Sequence, residues 1–463
     1  MPSPRVKLPN PIPGWDALRL ELGVPGEFPP EVMREAEQVR PELPAADLTD
    51  VPFLTIDPTG SVDLDQAMAL SKTEGGYRIR YAIADVAAFV KPLGAIDVEA
   101  HKRGETLYAP DKRSPLHPPV LSEDRASLLA DQTRPALVWS LDLDEAGELT
   151  HTDVSRAMVR SQRKLDYVDV QSQIDGGTAS PDLQLLKEIG LLRQAAARRR
   201  GAVDLPTPEQ EVDGEGHVTF RAQLPSEQWN AQISLLTGMA AAKLMIEGRV
   251  GLLRTLPTPD PGAVESLRRS ALALGIVWEE GTPYGDVVSA LDPTSPADAA
   301  LLTLATRLLR GAGYTAFDGA LPELTLHSAV AAPYAHCTAP LRRLADRYVG
   351  EICVALCAGT PVPQWVKQAL TTLPPEMAAA DHRAHALDRA IVDLAEAMAL
   401  EHRVGENFDG VVVDANPKGG TIQLTDPAVR GKLEAPEPPL GKTVRVRLQE
   451  ADPAKRSVRF VLA

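Results

Sequence analysis

Apolar and polar residues form short strand-like runs in the first third of the chain, and turn-forming residues end each run. V-P-F-L-T-I-D (51–57) and Y-R-I-R-Y-A-I-A-D-V-A-A-F-V (77–90) are typical of strands, with Gly75 and Gly76 in a turn between them. A-L-V-W-S-L-D-L-D-E-A-G-E-L-T (136–150) predicts another strand followed by a turn.

Helical segments dominate the middle of the chain. A mixed sheet followed by many helices predicts one large α+β domain over residues 49–400. The predicted helices span residues 182–200, 227–254, 262–274, 296–312, 338–358 and 377–402.

The pattern over residues 1–48 predicts a small helical module interrupted by prolines. W-D-A-L-R-L-E-L (15–22) predicts a helix that Gly23 stops, and residues 29–39 predict a second helix with prolines at its N-terminal side. Two short helices cannot bury enough surface alone, so we expect them to pack on the rest of the chain. We favour a pair of helices that packs on the following domain over a helix-turn-helix module.

The last sixty or so residues have a third pattern, of short strands separated by turn residues. Five strands at this spacing predict a small β-barrel of the OB type over residues 401–463. From His402 onward there are ten Lys or Arg and eight Asp or Glu, in a chain whose net charge is −15. A locally basic barrel on an acidic body is compatible with a grip on nucleic acid and equally with a structural role.

Composition narrows the class of protein. A chain of 463 residues with 44% hydrophobic and 24% charged residues is typical of a globular protein of two to four units. The net charge of −15 argues against polyanion binding by global attraction but allows a local basic channel. Three cysteines cannot form a disulfide framework, and the apolar neighbours of Cys353 and Cys357 indicate reduced core thiols. No signal region or membrane-length apolar run is present, so we expect a cytoplasmic protein.

T-I-D-P-T-G-S-V-D-L-D-Q-A-M-A-L (55–70) places three aspartates within nine residues. The turn after Asp57 can fold this residue back toward Asp63 and Asp65, which project to one side if the chain there is extended. Such an all-oxygen cluster favours Mg²⁺ or Mn²⁺. A solvated acidic turn is the simpler alternative, but the flanking segments are apolar.

Other cation chemistries fit this stretch less well. An EF-hand loop needs glycine and glutamate where this chain has Val62 and Met68. A bound Mg²⁺ opens phosphoryl transfer and phosphodiester hydrolysis. No G-x-x-x-x-G-K-[ST] loop is present, so we expect no nucleotide cofactor.

Y-A-H-C-T-A-P-L-R-R-L-A-D-R-Y (334–348) offers the cation that an attack on phosphate requires. Thr338 is predicted to cap a helix, with Arg342 and Arg343 in its first turn. Arginines near a helix start oppose the helix dipole, so a phosphate partner explains their placement. A salt bridge to Asp346 is the alternative.

Together these blocks resemble the ribonuclease II/ribonuclease R exoribonucleases. The family pattern T-I-D-x5-D-x-D-D-A is matched by residues 55–67, and Y-A-H-F-T-S-P-I-R-R-Y-x-D is matched by residues 334–346. Further segments resemble family motifs in the same order: A-D-V-A-A-F-V (84–90), R-G-E-T-L-Y-A-P-D (103–111), L-D-R-A-I-V-D (387–393) and R-V-G-E (403–406).

The resemblance implies a processive 3′→5′ exoribonuclease that uses Mg²⁺, or Mn²⁺, to hydrolyse single-stranded RNA to nucleoside 5′-monophosphates. Tyr108 falls at a tyrosine that stacks on the terminal nucleotide, and Asp388 at a glutamate close to that nucleotide. The implied site residues are Asp65 and Arg342 as catalytic groups, Asp57, Asp63, Asp65 and Gln66 as metal ligands, and Tyr108, His336, Thr338, Arg343 and Asp388 as RNA contacts.

The match fails at several positions. Gln66 replaces a fourth aspartate, so we expect weaker metal binding or a single ion. In the predicted helix around residues 230–242, Ser234 and Leu235 or their neighbours stand where the family usually has paired glutamates. Forty-eight N-terminal residues leave no room for cold-shock domains, so we expect the helical module and the OB barrel to form the channel entrance. The other departures are Cys337 for Phe, Ala339 for Ser and Leu344 for Tyr.

These departures keep a second hypothesis open, a catalytically impaired RNA-binding protein that retains the exoribonuclease fold. Retention of three aspartates and Arg342 argues against it. An exonuclease that acts on DNA is a third possibility, because spacing alone does not assign the recognition of 2′-hydroxyls.

Overall fold

The structure is a computed structural model that describes residues 14–206, 209–212, 218–424 and 426–463. In these residues the strands are Phe53–Asp57 (β1), Gln66–Thr73 (β2), Gly76–Ala84 (β3), Thr133–Asp144 (β4), Leu149–Asp166 (β5), Glu209–Val212 (β6), Val218–Arg221 (β7), Val250–Thr255 (β8), Gly313–Asp318 (β9), Leu326–His327 (β10), Ala332–Pro333 (β11), Asn407–Asn416 (β12), Gly419–Leu424 (β13), Arg430–Glu434 (β14), Thr443–Asp452 (β15) and Ser457–Leu462 (β16). The helices are Trp15–Glu21 (α1), Pro30–Gln38 (α2), Ala95–Arg103 (α3), Tyr167–Asp175 (α4), Pro181–Arg200 (α5), Pro225–Gly248 (α6), Pro261–Ala273 (α7), Tyr284–Ser289 (α8), Pro296–Ala305 (α9), Leu344–Cys357 (α10), Gln364–Ala369 (α11) and Leu373–Leu400 (α12).

Strands β1 to β5 form a closed barrel in chain order, and a parallel pairing of β1 with β5 closes it. Side chains alternate between two cores along β3. Ile79, Tyr81 and Ile83 join the core that contains α5, α6 and α10, whereas Ala82 and Ala84 join the core that contains α2 and α3. The sequence predicts part of this sheet, but it misses β2 and the length of β5, which together complete the barrel.

Strands β12 to β16 form a second closed barrel, in the order β12-β13-β14-β16-β15. Its core contains Phe408, Val412, Leu433, Val446 and Phe460. This confirms the predicted five-stranded barrel at the C-terminus and, with the mixed helices and strands before it, the predicted α+β class.

The two N-terminal helices pack on the rest of the chain, as expected. Trp15 and Leu18 of α1 contact Leu387 and Ile391 of α12, and α2 packs against α3. The three cysteines are free thiols, as predicted. Among the described helices, each is too short or too polar to cross a lipid bilayer.

Two predicted helices have wrong boundaries. The segment 227–254 is helical only to Gly248, because Arg249 adopts a left-handed conformation (φ 56°) and residues from Val250 onward pair as β8 with β9. A short apolar run cannot be assigned to helix or strand from its period alone. The segment 338–358 becomes helical only at Leu344, so Thr338 does not cap it.

Helix α6 approaches the segment after β11 so closely at Gly238 that a larger side chain there should destabilise the protein. A Cβ atom added to Gly238 would lie 2.2 Å from Cε2 of Tyr334 and 2.5 Å from the carbonyl oxygen of Ala335. We expect Gly238→Ala to lower the free energy of unfolding by about 1–3 kcal/mol. Gly26→Ala is the control, since nothing lies within 4 Å of its added Cβ. Equal denaturation midpoints for the two variants would contradict this packing.

Candidate active site

A polar cavity of about 940 Å³ lies where β1 ends and β2 begins. Pairing of β1 with β5 also brings the start of α4 to this edge of the barrel. Of the residues that the sequence singles out, the cavity wall contains Asp57, Asp63, Asp65, Gln66, Tyr108 and Arg342.

The carboxylates of Asp57 and Asp65 are buried in this wall, which costs free energy because they lose contact with water. Burial raises the pKa of Asp57 from its ordinary value of 3.8 to about 6, although Arg342 opposes the shift. Burial raises the pKa of Asp65 to about 8, against the same arginine and a hydrogen bond from the backbone N–H of Leu341. Oδ2 of Asp57 is buried and has no hydrogen-bond partner in the described part of the chain. These carboxylates are therefore poised to accept a cation.

The two neighbouring arginines have different partners. Arg343 donates to Asp346 through Nε (2.5 Å) and Nη2 (2.8 Å), so the predicted alternative of a salt bridge holds for this residue. Nε of Arg342 lies 3.5 Å from Oδ2 of Asp65, and its side chain is 50% exposed to the cavity. Both arginines precede α10 rather than lying in its first turn. Of these two arginines, Arg342 is therefore the one that lines the main cavity.

Gln66 is fixed at both ends of its amide. Nε2 donates to the carbonyl oxygen of Thr338 (2.5 Å), and Oε1 accepts from the hydroxyl of Tyr81 (3.0 Å). The adjacent Asp65 accepts from the N–H of Leu341 through Oδ1 (2.7 Å). The start of β2 thus holds the segment that carries Arg342.

Asp63 is hydrogen-bonded to two other residues of the cavity wall, Tyr108 and Arg113. Its Oδ1 accepts from Nη1 of Arg113 (2.8 Å), and its Oδ2 accepts from the hydroxyl of Tyr108 (3.2 Å). Throughout the described residues, no three His, Cys, Asp or Glu side chains are grouped so that they could hold one metal ion.

A magnesium site nevertheless fits Asp57 and Asp65. Mg²⁺ usually keeps several waters and takes one or two carboxylates together with substrate phosphates, so a cage of three acids is not required. The unpartnered Oδ2 of Asp57 and the weakly contacted Oδ2 of Asp65 supply that number. The ligand roles predicted for Asp57, Asp63, Asp65 and Gln66 all stay predictions, and the side chains of Asp63 and Gln66 have protein partners here.

The remaining predicted RNA contacts lie outside the main cavity. Asp388 lines a small cavity of about 190 Å³ that shares Tyr108 and Arg342 with the main one. The Nδ1 of His336 lies 2.7 Å from the hydroxyl of Tyr314, and Thr338 is buried. Their RNA-binding roles, like that of Arg343, stay predictions.

Sequence reasoning missed several residues of the cavity wall. Tyr167 lies at the start of α4, and its hydroxyl accepts from Nδ2 of Asn230 (2.9 Å). Glu227 lies in the first turn of α6, and its carboxylate accepts from Arg221 (2.8 Å). Neither has a local sequence signal, because only the register of β1 with β5 and the packing of α6 bring them to the site.

The raised pKa values predict how stability depends on pH in the absence of metal. Between about pH 4 and pH 8 the folded chain holds protons on Asp57 and Asp65 that the unfolded chain has lost. Stability therefore falls as pH rises through this window and levels off above it. In EDTA, we expect the melting temperature of the wild type to fall between pH 6 and pH 8.

Asp65→Asn provides the comparison for this measurement, because an amide does not titrate. The fall between pH 6 and pH 8 should shrink in this variant. Identical pH profiles for the wild type and Asp65→Asn would show that Asp65 is not protonated in the folded protein.

Comparison with known proteins identifies family matches over most of the chain. An RNB domain model matches residues 45–358, and a model of the RNase II-type exonuclease C-terminal S1 domain matches residues 406–463. Ribonuclease R of Aquifex aeolicus is 27% identical over 450 residues, which are 90% of this chain and 62% of that protein.

Two solved structures share the fold. RNase R of Mycoplasma genitalium, in complex with ribose methylated single-stranded RNA, is 20% identical and covers 97% of this chain and 78% of its own, with a TM-score of 0.88. Yeast Ssd1, described as a pseudonuclease, is 19% identical and covers 86% of this chain and 52% of its own, with a TM-score of 0.72.

The chain spans between 35% and 63% of the length of the first curated relatives that it matches. The RNB domain model alone covers well over half of the chain, and the S1 domain model covers most of the C-terminal barrel. These matches confirm the resemblance that the sequence motifs indicate: the chain belongs to the RNB family, with an RNase II-type C-terminal S1 domain.

Proposed function

We propose that this protein is a Mg²⁺-dependent 3′→5′ exoribonuclease that hydrolyses single-stranded RNA processively to nucleoside 5′-monophosphates. The observation that carries the proposal is the arrangement of Asp57, Asp65 and Arg342 in one open polar cavity. Two buried carboxylates and a half-exposed guanidinium complement a phosphate group that is bridged to a hard cation.

The side chains divide the chemistry among them. Asp57 and Asp65 would hold Mg²⁺, which would supply charge neutralisation at the phosphate and a lowered pKa for the attacking water. Arg342 donates hydrogen bonds to phosphate oxygens as their negative charge grows. Tyr108, which is 45% exposed, offers a stacking surface for the terminal base whatever its identity.

A series of cavities that share lining residues supports an approach of the RNA strand from the C-terminal barrel. The main cavity shares Tyr108 and Arg342 with the small cavity, which shares Asp388 with a groove of about 600 Å³ between α12 and the barrel. Arg389 and Lys432 line this groove and suit a phosphate backbone. This route agrees with the expectation that the OB barrel contributes to the entrance.

The second hypothesis is an RNA-binding protein that has lost catalysis. Gln66 in place of a carboxylate favours it, and the likeness to a pseudonuclease shows that the fold alone does not decide. The buried carboxylates of Asp57 and Asp65 argue against it, because mere RNA binding does not require two acids whose burial raises their pKa.

An assay on 5′-labelled oligoadenylate in Mg²⁺ tests the proposal. The wild type should produce a ladder that shortens from the 3′ end and release mononucleotides. Asp65→Asn should lower the rate by about 100-fold or more, since it removes a charge at the reacting phosphate. Asp142→Asn is the matched control, because Asp142 pairs with Arg78 on the surface of the barrel, outside the cavity.

The same experiment separates the alternatives. Tight RNA binding that is indifferent to Mg²⁺ and yields no ladder would support the RNA-binding hypothesis and reject the proposal. A DNA oligonucleotide of the same sequence, degraded as fast as the RNA, would reject RNA specificity.

A further inference from the structure

A series of hydrogen bonds between uncharged groups crosses the interior from α6 to the residues before α10. Oγ of Ser234 lies 2.8 Å from the hydroxyl of Tyr81, which lies 3.0 Å from Oε1 of Gln66. Nε2 of Gln66 then lies 2.5 Å from the carbonyl oxygen of Thr338. Residues 338–343 are called the arginine loop below.

The direction of every bond in this series is determined. A backbone carbonyl only accepts, so the NH₂ group of Gln66 must face Thr338, and its Oε1 must face Tyr81. Because Oε1 also only accepts, the single hydroxyl proton of Tyr81 goes to Gln66 and Ser234 donates to Tyr81. A carboxylate in this place would set an oxygen that only accepts against the carbonyl oxygen of Thr338, which also only accepts. Glutamine is therefore matched to this site in a way that aspartate or glutamate is not.

The arginine loop sets the position of Arg342. Its other anchors include the bond from Leu341 N–H to Asp65 (2.7 Å), the bond from Ala339 N–H to Asp346 (2.8 Å) and the bond from Thr106 N–H to the carbonyl oxygen of Arg342 (2.9 Å). Gln66 holds the first residue of the loop, and Asp65, its neighbour in the chain, holds the fourth. The relative position of Asp65 and Arg342 therefore depends on Gln66 being held in place.

We propose that Tyr81 is a positioning residue of the active site: it orients Gln66, which ties the arginine loop to the barrel and places Arg342 opposite Asp65. This inference rests on the proposed exoribonuclease function. It also connects two departures from the family pattern, Gln66 and Ser234, because Tyr81 bonds to both. Gln66 acts here as a support for the loop.

Tyr81 is suited to this role and not to proton transfer. It is fully buried, in the core that contains α5, α6 and α10. Burial raises the pKa of its phenol far above the ordinary value, so it remains a hydrogen-bond donor over the whole working pH range. Removal of its hydroxyl leaves Oε1 of Gln66 without its donor.

Tyr81→Phe tests the proposal in single-turnover hydrolysis of oligoadenylate. We expect the saturating rate to fall about tenfold or more and the half-saturating concentration to change less than about threefold, because a transition-state contact is lost and RNA binding is not. Tyr77→Phe is the matched control: it removes a tyrosine hydroxyl from the same strand, one that bonds Glu188 away from the site. Its rate should stay within about twofold of the wild type.

A double variant identifies the residue through which Tyr81 acts. In an Arg342→Met background, Tyr81→Phe should cause no further loss of rate, because the two changes remove the same contribution. A full additional loss in that background would overturn the proposal, as would a wild-type rate in the single variant.

Amide hydrogen exchange tests the same support independently of activity. Tyr81→Phe should speed exchange of residues 338–343 about tenfold or more and leave β4 unchanged. Gln66→Met, which removes the bond to Thr338, should reproduce this effect and covers the case that Tyr81→Phe folds poorly. Unchanged exchange in the arginine loop would overturn the proposal, even if the wild type proves inactive on RNA. An inactive wild type with faster loop exchange in the variants would reject the proposed function alone.

Discussion

The burial of two aspartate carboxylates, Asp57 and Asp65, in the wall of one cavity is the constraint on which the rest of the structure depends. A carboxylate taken out of water costs free energy unless a charge or donors compensate it. Here the protein compensates only in part, and the pKa values of both side chains rise to about 6 and about 8. Arg342 and one backbone N–H leave part of this cost uncompensated, and under the proposed function a bound cation would offset the rest.

The surrounding architecture keeps these carboxylates from relaxing into solvent. Asp57 ends a strand that is paired on both sides within a closed barrel, and Asp65 immediately precedes another barrel strand. The arginine loop lies across them, tied down by Gln66 and Asp65. Rigid strands and a firmly held loop give preorganisation, which is what electrostatic stabilisation of a transition state requires.

Local patterns in the sequence predict the C-terminal barrel and several residues of the cavity wall. Short strands separated by turn residues identify the C-terminal barrel, and the spacing of Asp57, Asp63 and Asp65 with the Arg342 block identifies the site residues that meet in the cavity. Each of these signals lies within one short segment of the sequence, so no tertiary information is needed to find it.

Other features depend on tertiary contacts that a sequence does not display. Arg342 and Arg343 are adjacent and chemically identical, yet Arg343 pairs with Asp346 whereas Arg342 lies beside Asp65 in the cavity wall. The helix after them begins at Leu344 instead of Thr338, because the carboxylate of Asp346 bonds back to the N–H of Ala339 and fixes a turn before it. Gln66 is interpretable from sequence only as a missing acid, since its partners Tyr81 and Thr338 are remote in the chain.

The most direct test of the central claim is a phosphorothioate substitution at the 3′-terminal linkage of an RNA substrate. If the cation on Asp57 and Asp65 contacts the scissile phosphate, one sulfur diastereomer should be cleaved slowly in Mg²⁺ and recover in Mn²⁺ or Cd²⁺, which accept sulfur more readily. This recovery should be lost in Asp57→Asn. Equal cleavage of both diastereomers in every metal, or recovery that persists in Asp57→Asn, would contradict the account.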